Sequence, residues 1–163
     1  MIVFAHGLEG SPQGNKSRRL RNLGLPCAVP DMGGVPLQGR FELLEQATRA
    51  GGVLLVGSSY GGLVAALMAQ AHPERFVGMV LCAPALGWVE APNLDPQALV
   101  APAGLPVTII HGLHDDIVPI AQSRAYRDRS PVGITLLEVD DGHALRGSLE
   151  LLEQVVLGLA ETG

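Results

Sequence analysis

The stretch Gly51-Gly52-Val53-Leu54-Leu55-Val56-Gly57-Ser58-Ser59-Tyr60-Gly61-Gly62 decides how the rest of the chain is read. Val53–Val56 is an uninterrupted apolar run, the pattern of a strand buried on both faces. Gly57–Gly61 fits Gly-x-Ser-x-Gly, and Leu63–Ala71 continues as a closely packed apolar helix. Between a strand and a helix, that five-residue pattern reads as a nucleophile elbow, a turn so tight that the serine's neighbours have no room for a Cβ. The same turn puts Ser59 at a helix N-terminus, where backbone N–H groups and the helix dipole favour negative charge. The competing reading is a glycine-rich connection whose serine only caps the helix. The surroundings of the stretch choose between the two.

Length and composition bound the choice. A chain of 163 residues, 47% hydrophobic and only 17% charged, has the make-up of one compact domain with a large core. A formal net charge of −5 gives no reason to expect nucleic acid or an anionic membrane as a partner. Cys27 and Cys82 both sit in apolar surroundings and read as buried free thiols. The chain opens directly on Ile2-Val3-Phe4-Ala5 with no basic leader, and no run reaches membrane-spanning length, so a cytoplasmic protein is expected.

Outward from the elbow, apolar runs alternate with helical patterns. Strands are expected at Ile2–Ala5, Pro26–Val29, Val53–Val56, Phe76–Ala83, Val107–Ile110 and Ile134–Val139. Helices are expected over Asn15–Leu23, around Phe41–Ala47, over Leu63–Ala71, from Pro119 to Asp128, and over Leu145–Leu159 with Leu149, Leu152, Val156 and Leu159 on one face. Lys16, Arg18, Arg19 and Arg21 read as a solvated helix face. Strict alternation predicts an α/β fold, a three-layer αβα sandwich around a mostly or wholly parallel sheet of about six strands. Residues 1–163 form a single domain on this reading, because Ala85–Pro106 is too short for a separate cap.

Placement then singles out the chemistry. His6, Ser59, Asp115 and His143 each follow a strand, and loops at the carboxyl edge of a parallel sheet converge in space. A serine hydroxyl needs an adjacent base, and the base needs an orienting carboxylate. Ser59, Asp115 and His143 supply these in order. Asp116 competes with Asp115, and Ser58 with Ser59, although only Ser59 occupies the centre of the motif. His6 and His111 lie in His-Gly turns and read as holding loop backbone, His114 as a loop residue, and Asp141 as shaping the turn before His143. The histidines show no His-x-x-x-His spacing, so neither a metal nor another cofactor is expected.

His6-Gly7-Leu8, Gly57–Gly61, His111-Gly112-x-x-Asp115-x-x-Val118-Pro119 and Gly142-His143 together resemble the α/β-hydrolase superfamily, nearly end to end. The resemblance is to its short, uncapped, esterase-like members, here without the leading antiparallel strands. It implies Ser59 as nucleophile, His143 as general base, Asp115 as its orienting acid, and the backbone N–H groups of Leu8 and Tyr60 as the oxyanion hole. Leu86, Trp88 and Ile117 are candidate walls of a substrate pocket. The activity implied is hydrolysis of a small ester, or of an acyl-CoA thioester with Lys16, Arg18 or Arg19 on a phosphate. A non-catalytic binding protein on the same scaffold is the other class, since fold does not fix function.

Overall fold

The computed structural model of the chain describes residues 1–87 and 95–162. Its elements run β1 (Ile2–Ala5), α1 (Asn15–Arg21), β2 (Cys27–Ala28), α2 (Leu37–Thr48), β3 (Val53–Ser58), α3 (Tyr60–Ala71), β4 (Phe76–Cys82), β5 (Val107–Gly112), α4 (Ala121–Arg129), β6 (Thr135–Val139) and α5 (Leu149–Thr162). The strands form one six-stranded sheet in the order β2-β1-β3-β4-β5-β6. Every pairing is parallel. Among the described residues four of the five crossovers carry an α-helix, that from β4 to β5 having only a 3₁₀ turn at Pro96–Ala98, and helices cover both faces of the sheet.

Two apolar clusters, one on each face, hold the layers together. Val3, Leu55, Met79, Leu81 and Ile109 pack beneath α3 through Leu63, Val64 and Met68. On the other face Ile2, Phe4, Leu54, Val56, Val80 and Ile110 meet Leu20 of α1 and Leu152 and Val156 of α5. Alternate residues of β3 thus feed opposite clusters. That is why the run Val53–Val56 is apolar throughout.

Several boundaries differ from the sequence reading. α2 begins at Leu37, four residues before the first residue of the expected repeat, because Gln38, Gly39 and Arg40 conceal the start of the pattern. β2 is only two residues long, at the sheet edge beside β1. The expected last helix starts later, at Leu149. Leu145 takes a left-handed conformation (φ 53°) and a single 3₁₀ turn, Arg146–Ser148, intervenes. The basic helix α1 has its solvated face, with Arg19 paired to Glu153 of α5 and Arg18 to Asn15. Both cysteines are free; Cys82 is fully buried and burial pushes its thiol up to about 11. Among the described residues no helix is long and apolar enough to cross a membrane.

Candidate active site

Ser59 stands between the last residue of β3 and the first of α3, with φ 54° and ψ −120°. A non-glycine residue in such a region costs about 1–3 kcal/mol and persists only where its surroundings impose it. They do so here. The Ser59 N–H donates to the Cys82 carbonyl at 2.9 Å, and its own carbonyl accepts from Gly62 and Ala85, each at 2.9 Å. The motif glycines are demanded by contact. A Cβ on Gly57 would lie 2.8 Å from the Ala65 Cβ, and one on Gly61 would collide with the Ala5 carbonyl.

Ser59 Oγ lies 3.0 Å from His143 Nε2, and His143 Nδ1 lies 2.8 Å from Asp115 Oδ2. A carboxylate only accepts, so Nδ1 carries the proton and Nε2 is left to accept from the serine hydroxyl. The Asp115 side chain is fully buried while His143 keeps 23% exposure. Oδ1 of Asp115 accepts from the Ile117 and Val118 N–H groups at 2.9 and 2.8 Å. Burial alone would raise this carboxyl, but hydrogen bonds from His143, Val118 and Ile117 outweigh it and hold it below its ordinary value. Asp116, its sequence neighbour, is exposed.

The loops carrying Asp115 and His143 are fastened to each other. The Leu113 N–H donates to the Val139 carbonyl at 2.8 Å and the His114 N–H to the Asp141 carbonyl at 3.1 Å. Gly112 leaves space for that same Asp141 carbonyl, which any Cβ would strike. Asp141 braces the turn of the base, accepting from the Gly142 N–H, the Gly147 N–H and the Ser148 hydroxyl at 2.8, 2.9 and 2.9 Å. His114 reaches outward to Asp140 at 2.7 Å.

Both His-Gly histidines are buried. His111 places Nε2 at 2.9 Å from the Val118 carbonyl and 3.2 Å from Asp115 Oδ2, with Nδ1 at 2.7 Å from the Ser123 hydroxyl. Burial pushes its pKa down, against opposing pulls from Val118 and Asp115. His111 is therefore neutral, donating from Nε2 and accepting at Nδ1 from Ser123. Its place as a further partner of the buried acid is finer than the turn-holding role its sequence position suggested. His6 donates from Nδ1 to the Gly7 carbonyl at 2.8 Å and accepts the Met32 N–H at Nε2 at 3.0 Å.

Gly7 packs against the serine, where a Cβ would lie 3.2 Å from the Ser59 Cβ. Leu8, the next residue, is 48% exposed, whereas the Tyr60 ring at the start of α3 is buried. Ile117 is 61% exposed. Leu86 is buried, at 1% exposure. It does contribute to a cavity of about 260 Å³ with Gly87, Gln97 and Gln122, whose described lining includes none of Ser59, Asp115 and His143. Trp88 lies outside the described residues. A second cavity, of about 230 Å³, is lined by Gly7, Ser58 and Ala144, chain neighbours of the site, and by Lys16 and Arg146. Among the described residues no group of three or more His, Cys, Asp or Glu side chains could hold a metal ion.

Comparison with known proteins agrees with this fold. The family model described as serine aminopeptidase, S33, matches residues 37–102, a span that contains Ser59 but neither Asp115 nor His143. A protein from Xanthomonas campestris pv. campestris, assigned to the hydrolases of the alpha/beta superfamily, is 27% identical, with 99% of this chain and 98% of that one covered and a TM-score of 0.82. The monoacylglycerol lipase of Paleococcus ferrophilus is 17% identical, covering 99% and 94% with a TM-score of 0.79. A structure from the metagenome-derived lipolytic enzymes LipS and LipT is 18% identical, covering 99% and 93% with a TM-score of 0.84. No curated protein matches the chain by sequence. The chain has the α/β-hydrolase fold, and the family-model match and these neighbours support a hydrolase.

Proposed function

We propose that the protein is a serine hydrolase that cleaves small or short-chain carboxylic esters through an acyl-enzyme on Ser59. The observation that carries this reading is the unbroken chain from Ser59 Oγ to His143 Nε2 at 3.0 Å and from His143 Nδ1 to Asp115 Oδ2 at 2.8 Å. His143 takes the proton as Ser59 Oγ attacks the acyl carbonyl carbon. Asp115 fixes the imidazole tautomer and stabilises the imidazolium. The carbonyl oxygen, now negative, is received by the N–H groups of Leu8 and Tyr60; such a donor is worth about 3 kcal/mol of barrier. His143 then protonates the departing alkoxide. Water, deprotonated by the same imidazole, attacks the acyl-enzyme and releases the carboxylate.

The site is open on this reading, with no cap domain over it, and its partner is a small-molecule ester, with no nucleic acid or membrane. A fluorophosphonate is expected to label the protein at Ser59, and Ser59→Ala to remove the label while leaving the fold intact. Stoichiometric labelling of folded Ser59→Ala would refute the assignment. An acyl-CoA thioester is the second reading, favoured by Lys16 and Arg146 on the 230 Å³ cavity beside Gly7 and Ala144. A salt-sensitive preference for acyl-CoA over plain esters, lost in Lys16→Gln, would select it.

A further inference from the structure

We propose that Arg40 is the positioning residue of the oxyanion hole, a side chain that ties the Leu8 segment to the Tyr60 segment. This rests on the serine-hydrolase reading above. Arg40 lies in the first turn of α2 and is fully buried, heading the largest side chains that are. Its Nη1 donates to the His6 carbonyl at 2.9 Å and its Nε to the Val35 carbonyl at 2.8 Å. Its guanidinium carbon stands 5.2 Å from the centre of the Tyr60 ring.

These contacts meet where two separate pieces of chain must be held in register. Leu8 comes from the loop after β1 and Tyr60 from the start of α3, so no single element fixes the distance between their amides. The His6 carbonyl is gripped from two directions. Arg40 donates to it on one side, and the Gly61 backbone abuts it on the other, where a Cβ would come within 2.6 Å. The His6 ring then pins the Gly7 carbonyl, one residue before Leu8. Arg40 thus bonds to the loop that leads to one amide and packs on the ring of the residue that owns the other.

An apolar side chain would fill this space without the cost of burying a cation, and replacing buried charges by apolar residues of similar volume is often neutral or stabilising. What the guanidinium adds is direction: a planar fork that bonds two carbonyls while its face rests on a ring. Misplacing reacting groups by about 1 Å costs on the order of 100-fold in rate, so a brace of this kind acts on turnover and not on ground-state binding.

The test compares wild type, Arg40→Met and Arg40→Lys on a short-chain nitrophenyl ester. Active sites are counted by fluorophosphonate titration, and the affinity of a trifluoromethyl ketone, which forms a tetrahedral oxyanion on serine, is measured alongside. We expect Arg40→Met to keep its full complement of titratable sites and a KM within about two-fold of wild type. Its kcat should fall by about 10- to 100-fold, with ketone affinity falling in parallel. Arg40→Lys, which keeps the charge and one bond but loses the fork, should recover part of both. A merely structural role would lower Tm and leave both values per titrated site unchanged, and that result overturns the proposal. A loss carried wholly by KM also overturns it. If Arg40→Met does not fold, the lysine variant decides: kcat and ketone affinity within two-fold of wild type refute the brace. A wild-type protein that neither takes the label nor turns over refutes the hydrolase reading and this one with it, whereas an active wild type with an equally active Arg40→Met refutes the brace alone.

Discussion

Replacing His111 by glutamine isolates one buried proton site. The imidazole has three partners, the Val118 carbonyl, the Ser123 hydroxyl and Asp115 Oδ2. An amide can remake some of these bonds but not all, and a buried polar group left without its partner costs about 1–3 kcal/mol, which sets the expected loss of stability near pH 7.5. The amide does not titrate, so the pH dependence changes as well. In the unfolded chain His111 takes up its proton around 6.5; folded, burial pushes its pKa below that. Between those two values the unfolded state binds more protons than the folded one. Stability contributed by the neutral folded imidazole is therefore intact above about 6.5 and erodes as the pH falls, by up to about 1.4 kcal/mol per unit. Glutamine removes that erosion. The stability gap between wild type and His111→Gln should narrow by as much as about 1.4 kcal/mol on going from pH 7.5 to pH 5.5. Asp115, held below its ordinary 3.8, does not titrate in this window, and the remaining histidines are common to both proteins. Urea unfolding of both proteins at the two pH values measures the difference directly. A gap that stays constant, or widens in acid, refutes a neutral buried His111.

Three further outcomes are expected. Asp115→Asn should lower turnover by about 10⁴-fold, because the amide leaves the imidazole in the wrong tautomer, while Asp116→Asn stays near wild type; steady-state rates of the two decide, and the reverse ranking would move the acid by one residue. Gly61→Ala should cost about 3 kcal/mol or more, since its Cβ meets the backbone carbonyl of Ala5 and not a side chain that can turn away; thermal unfolding would show it, and a Tm within a degree or two of wild type would contradict the tight elbow. Across an acyl-ester series, kcat/KM should rise over the first few carbons by up to about 0.8 kcal/mol per buried methylene and then level off, because Leu8 and Ile117, the proposed walls, stand exposed; efficiency climbing steadily to fatty-acyl lengths would require a closed chamber.

The parallel sheet was legible in the sequence because β1, β3, β4 and β5 are apolar on both faces, and the elbow because its five-residue motif stands directly between an apolar run and a helical pattern. The order Ser59, Asp115, His143 could be read because such loops share one edge of the sheet. What was not legible depends on contacts that only the folded chain makes. Arg40 in a mixed helix looks like any solvated cation, and only its arrangement against His6, Val35 and Tyr60 explains its burial. Leu86 sits in a loop, and its near-complete burial comes from core packing that the sequence alone does not display. The start of α2 was hidden by Gly39, whose missing side chain makes room for Val35, where a Cβ would lie 2.7 Å from the Val35 Cγ1.

The tightness of the turn around Ser59 has an evolutionary consequence. Gly57 and Gly61 are held by collisions with Ala65 and with the backbone of β1, contacts that exist whether or not a substrate ever arrives. Selection for folding alone therefore preserves them. On the proposed function, a descendant that abandoned catalysis would keep both glycines and the bend, and would drift first at the Ser59 hydroxyl, the Asp115 carboxylate and the His143 ring. In sequences diverging from this one, a surviving pair of glycines would mark an inherited architecture, and those three side chains together the proposed chemistry.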